Sequence, residues 1–69
     1  MTIQEINNNF TYHSPNSEQL PRYAELREKA RLLALDIYDL TPISAEQTIA
    51  IRKLEEAIFY ANAAIARNS

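Results

Sequence analysis

The sequence predicts an all-α fold: an antiparallel helical hairpin preceded by one short helix. Three observations carry this reading. Two long stretches have apolar residues stepping alternately by four and three. Helix-opening pairs of the S/T-x-x-E/Q kind stand at Thr2/Glu5 and Ser44/Gln47. The connection between the two long stretches, Thr41 to Ile43, is short enough to make them antiparallel neighbours, and it contains Pro42.

The short helix is expected over about residues 2–10, with Thr2 as its cap and Ile3, Ile6 and Phe10 on one face. Phe10 is expected to pack on the hairpin. The run Asn7 to Asn9 weakens this helix, because asparagine competes for its own backbone. Residues 11–20 read as a loop, since Pro15 pushes Ser14 out of the helical region and Asn16-Ser17 favours a turn. Ser17 is a candidate cap for the next helix, with Pro21 tolerated in its first turn, so the start lies between these two residues.

The second helix is expected over about 21–40, with Leu26, Ala30, Leu33, Ile37 and Leu40 forming a coiled-coil-like seam that Pro42 ends. The third, about 44–67, opens on Ser44 and repeats the stepping at Gln47, Ile51, Leu54, Ile58, Ala61 and Ile65. With the turn near Thr41 to Ile43, partners across the hairpin have residue numbers summing to about 84. That sum sets Leu26 against Ile58 and Arg22 level with Asn62, and it brings Arg67 near Ser17. Tyr38, Ile49, Phe59, Tyr60 and the small-residue strip Ala50, Ala57, Ala61 and Ala64 fall outside the main seam and ask for a partner.

Composition bounds the function. At 69 residues the chain is a single domain with a small core, and oligomerisation is the natural route to stability. There is no cysteine, which fits a reducing compartment, and the single histidine offers no metal set. No run of ~18 apolar residues is present, and no secretory signal is recognisable, so a cytoplasmic protein with no membrane partner is expected. A net charge of -2 argues against a DNA binder. With no glycine, phosphate-cradling loops are absent, so nucleotide recognition would have to use side chains.

Cations gather in the first half of the second helix, where Arg22, Arg27, Lys29 and Arg31 outnumber Glu25 and Glu28. The bland reading is a solvated face with helix ion pairs such as Glu25 with Lys29. Cations near a helix N-terminus nevertheless oppose the macrodipole, and an anion would relieve that. Arginine offers a planar fork for phosphate, and tyrosine can stack on a base. Asn62 interrupts the apolar ANAAIA run, so it faces solvent, fixes register or bonds a ligand. His13 reads first as a loop hydrogen-bonding residue. No nucleophile–base set is recognisable, and the carboxylate pairs Asp36/Asp39 and Glu55/Glu56 read as exposed faces, so catalysis is not expected.

An ordered set of short motifs spans the chain from Phe10 onward: F-x-Y-H-x-P at Phe10 to Pro15, Q-x-x-R-Y at Gln19 to Tyr23, and L-R at Leu26-Arg27. It continues with Ala30-Arg31, P-x-S-x-E-Q from Pro42 to Gln47, L-E-E-A at Leu54 to Ala57, and A-N-A-A-I-A-R-N from Ala61 to Asn68. This set resembles the phage anti-CBASS cyclic-oligonucleotide sponges and their anti-Thoeris relatives that share the helical-hairpin domain. One departure is Arg31, where the family pattern more often has lysine. The resemblance implies a compact homo-oligomer, a hexamer, in the host bacterial cytoplasm. It would bind cyclic dinucleotides such as 3′,3′-cGAMP between protomers and cyclic trinucleotides at separate sites, cleaving neither and using no cofactor or metal. Carried onto this chain, the dinucleotide site falls on Tyr12 and Arg27, with Lys29, Arg31 and His13 as neighbouring candidates, and the trinucleotide site on Asn62 and Arg67. The competing expectation is a small helical oligomeric adaptor that binds a host protein.

Overall fold

The computed structural model describes residues 1–69 and contains three helices and no strand: α1 (Ile3–Asn9), α2 (Gln19–Leu40) and α3 (Ala45–Asn68). α2 and α3 pack as an antiparallel hairpin. Thr2 Oγ1 caps α1 by accepting from Glu5 N at 3.0 Å, and Ser44 Oγ caps α3 by accepting from Gln47 N at 3.1 Å. Both caps stand where the sequence puts them.

α2 starts at Gln19, between Ser17 and Pro21 as expected, but its cap differs from expectation. Ser17 does not cap it. Asn16 does, its Oδ1 accepting from Glu18 N at 3.0 Å and from Gln19 N at 2.9 Å, while Gln19 Oε1 accepts from Asn16 N at 3.2 Å. That is a reciprocal capping box with asparagine in the serine position.

The seam of α3 is the expected one, with Ile51, Leu54, Ile58, Ala61 and Ile65 all half-buried and Gln47 buried. On α2 the half-buried residues are Tyr23, Leu26, Ala30, Ala34 and Ile37, while Leu33 and Leu40 are exposed. The alternating three-four step belongs to a supercoiled helix with 3.5 residues per turn. A straight helix has about 3.6 and drifts, so that Ala34 takes the place of Leu33.

Two glutamines are the only buried residues, Gln19 at 4% exposure and Gln47 at 7%. Gln19 Nε2 donates to the Ile65 carbonyl at 3.3 Å and to the Ser69 carbonyl at 2.9 Å. Gln47 Nε2 donates to the Tyr38 carbonyl at 3.0 Å and to the Thr41 carbonyl and hydroxyl, each at 3.1 Å. Each glutamine sits in the first turn of its own helix and bonds the last turn of the other. The side chain of Gln47 therefore crosses the hairpin instead of turning back to Ser44.

No apolar residue is fully buried. The molecule measures 45 × 29 × 12 Å, so it is one helix thick. Its radius of gyration is 15.2 Å, where a compact domain of this length comes to about 11 Å. Its accessible surface is 5658 Å², against about 4,400 Å² for a compact monomer of this mass. α1 does not supply the missing cover: Ile3, Ile6 and Phe10 are exposed, Phe10 at 88%, so Phe10 does not pack on the hairpin as expected. α1 is held to the end of α3 by a polar contact, Asn8 Nδ2 donating to the Arg67 carbonyl at 3.3 Å.

Gln47→Ala removes an amide NH2 whose two N–H donors serve three acceptors, and at about 1 kcal/mol per N–H it should lower stability by about 2 kcal/mol. Gln47→Glu keeps the shape but points an anion at the same carbonyls, and should be worse. Thermal melts at matched protein concentration check this, and a Gln47→Glu chain as stable as the parent contradicts it.

Candidate ligand-binding site

Antiparallel packing at this register sets the middle of α2 against the middle of α3. There, Ala30 and Ala34 face Ile51, Leu54 and Ile58 across a shallow groove of about 230 Å³. The two alanines are too small to fill the space between the helices. Arg27 and Arg31, one turn apart on α2, and Glu55 and Phe59, one turn apart on α3, form its walls. The same face continues toward the turn into a recess lined by Tyr38, Arg52 and Glu55.

The two arginines differ in state. Arg31 is forked onto Glu28, with Nε to Oε2 at 3.0 Å and Nη2 to Oε1 at 2.7 Å. Arg27 makes no salt bridge. Lys29, outside the groove, lies 3.7 Å from Glu25, the helix pair that spacing predicts. The hydrogen bonds from Arg31, helped by the positive charge of Arg31 and Arg27, hold the Glu28 carboxyl below its ordinary value, and the same pairing raises Arg31. An apolar floor with one uncommitted guanidinium and an exposed phenyl ring suits a ligand that carries both a flat apolar surface and an anionic group.

The remaining candidates lie elsewhere. Tyr12 is 84% exposed and lines no groove, so a single chain does not bring Tyr12 and Arg27 into one pocket. His13 Nε2 donates to the Asn8 carbonyl at 2.8 Å, which requires the proton on Nε2 and makes His13 a hydrogen-bonding loop residue. Arg67 is beside α1 in a polar hollow with Thr2, Gln4, Glu5 and Asn8. Arg22, also at this end, donates from Nη2 to Ser69 Oγ at 2.6 Å.

Asn62 lies outside the Arg67 hollow, and its Oδ1 is buried with no hydrogen-bond partner. An orphaned acceptor of this kind costs about 1–3 kcal/mol unless something outside the chain supplies a donor. Sequence reasoning missed Phe59 as a wall beside Arg27 and Glu28 as the counter-ion of Arg31. The register sum and the i, i+3 spacing respectively would have found them.

No group of three His, Asp or Glu side chains is placed to hold a metal ion, and no helix is long and apolar enough to cross a membrane. Fold and site together define a helical hairpin whose groove is walled by arginine, glutamate and phenylalanine side chains. The Acb2/Tad1 hairpin domain matches residues 1–66, and the chain belongs to that family, the anti-CBASS and anti-Thoeris sponge proteins, which bind rather than catalyse. No curated protein and no solved structure matches the chain.

The Glu28–Arg31 pair gives a pH prediction. Because the folded-state pKa of Glu28 is depressed, its contribution to stability is present above the unfolded-state value and is lost as pH falls through the folded value. Carboxyl-carbon NMR should place the Glu28 midpoint below that of an ordinary glutamate, and Arg31→Gln should return it to the ordinary range. An ordinary midpoint in the parent chain contradicts the pairing.

Proposed function

We propose that this protein is a phage anti-defence sponge that sequesters cyclic oligonucleotide second messengers, 3′,3′-cGAMP and related cyclic dinucleotides among them, without cleaving them. In the cytoplasm of the infected bacterium it thereby keeps CBASS effectors inactive. The observation that carries this reading is the uncommitted Arg27 over an apolar, aromatic-walled groove in a chain of the sponge family. Arg27 meets a phosphate of the ligand, and Tyr12 stacks on a base.

Tyr12 and Arg27 share no pocket within one chain, so the site is completed between copies. A flat molecule with no buried apolar residue supports such an assembly, and the hexamer of the family is the form we assign. A cyclic dinucleotide has near-twofold symmetry that matches an isologous contact between identical hairpins. Stacking contributes about 1–3 kcal/mol per base, and a charge-assisted bond about 1.5–3 kcal/mol, so two copies of each give tight binding after ordering costs. Arg31 is a weaker candidate than Arg27, because Glu28 must release it first. Cyclic trinucleotides are assigned to Asn62 and Arg67. Those two residues do not share a hollow in one chain, so this site also draws on more than one copy.

A second reading, an oligomeric adaptor for a host protein, is favoured by the exposed Ile49, Phe59 and Tyr60. Titration calorimetry with 3′,3′-cGAMP decides between them, since an adaptor takes up none. Heating the complex should return the dinucleotide intact, and linear product would overturn the sponge reading. Tyr12→Ala and Arg27→Ala should each weaken binding by about 10- to 100-fold while the oligomer persists. Normal affinity in both variants would remove these residues from the site.

A further inference from the structure

The two residues flanking Tyr12 both bond backward onto α1. Thr11 Oγ1 donates to the Asn7 carbonyl at 2.5 Å, and His13 Nε2 donates to the Asn8 carbonyl at 2.8 Å. The Thr11 amide also points to the Asn8 carbonyl, at 3.4 Å. These are last-turn carbonyls of α1, which the helix itself leaves without donors. α1 is in turn fastened to α3 by the bond from Asn8 Nδ2 to the Arg67 carbonyl. Downstream, the Asn16–Gln19 box pins the other end of the loop to the start of α2, and Gln19 carries on to the last turn of α3. Between these anchors Tyr12 is 84% exposed and its side chain bonds to nothing.

We propose that Thr11 and His13 are positioning residues for Tyr12. As paired caps on the end of α1, they fix the backbone on both sides of it, so the ring is presented in a set orientation before any ligand arrives. The role in binding rests on the reading of Tyr12 as the stacking residue; the fixing of the loop does not. A ring held in place loses less freedom when a base stacks on it, so removing one cap should weaken binding by about 3- to 10-fold without removing any ligand contact.

The chain contains no tryptophan, so Tyr12→Trp introduces a single fluorescent reporter at the position in question. Time-resolved anisotropy is compared for that variant alone and combined with His13→Ala, His13→Gln or Thr11→Val, each well below its own melting temperature and at equal oligomer size. Glutamine keeps an N–H donor, whereas alanine has none. His13→Ala and Thr11→Val should add a fast local depolarisation that His13→Gln does not. In the Tyr12 chain, titration with 3′,3′-cGAMP should show His13→Ala weakened by 3- to 10-fold and His13→Gln close to the parent. Equal reporter mobility in all variants overturns the proposal, as does a mobility change with no change in affinity. A parent chain that takes up no cyclic dinucleotide overturns the sponge reading instead, and the anisotropy then still decides whether Thr11 and His13 fix the loop.

Discussion

Two glutamine side chains hold the hairpin at its ends, and the rest of the structure depends on where they place the helices. Gln19 and Gln47 each sit in the first turn of one helix and donate to carbonyls at the end of the other. The amide is suited to this because it is neutral and long enough to reach across, and its nitrogen donates more than one bond. A helix end leaves about four carbonyls unsatisfied, so the two glutamines answer a need at both ends of the hairpin. They also fix its register, since Gln19 can reach Ile65 and Gln47 can reach Tyr38 only in one alignment. That alignment sets Ala30 opposite Leu54 and so creates the groove between Arg27, Arg31 and Phe59.

The same arrangement leaves the chain unfinished. Polar bonds close the ends, but the apolar seam between them is only half covered, and no third element lies over it. Burying apolar surface is the main source of folding free energy, at about 25 cal/mol per Å². A plate one helix thick cannot bury its own two faces. Function and stability then make the same demand, because the faces that need cover carry the arginines and aromatic rings. In the proposed assembly, a ligand held between two plates would meet side chains from both and be shielded from solvent.

Much of this was legible in the sequence, and the misses have physical causes. Helix existence followed from stepping and caps, and Ser44 and Thr2 were read correctly because serine and threonine at a cap have one ordinary role. Asn16 was missed because Pro15 and Ser17 on either side made the stretch read as a turn. Leu33 and Leu40 were placed in the seam by a supercoil pattern that a two-helix plate does not adopt. Phe10 was expected to be covered, but α1 is attached through Asn8, a polar contact that no hydrophobic pattern reveals. For the site, the cation cluster and the role of His13 could be read from spacing and chemistry. The separation of Tyr12 from Arg27, and of Asn62 from Arg67, could not, since it depends on how the loop and α1 fold back.

The central claim is that the hairpin is one part of an assembly whose binding sites lie between its copies. Native mass spectrometry of the purified chain, with and without 3′,3′-cGAMP, tests it most directly. The account predicts a homo-oligomer, a hexamer, that takes up the dinucleotide in a fixed ratio of fewer than one per chain, with no lone hairpin carrying a ligand. A folded monomer that binds one dinucleotide by itself would contradict it.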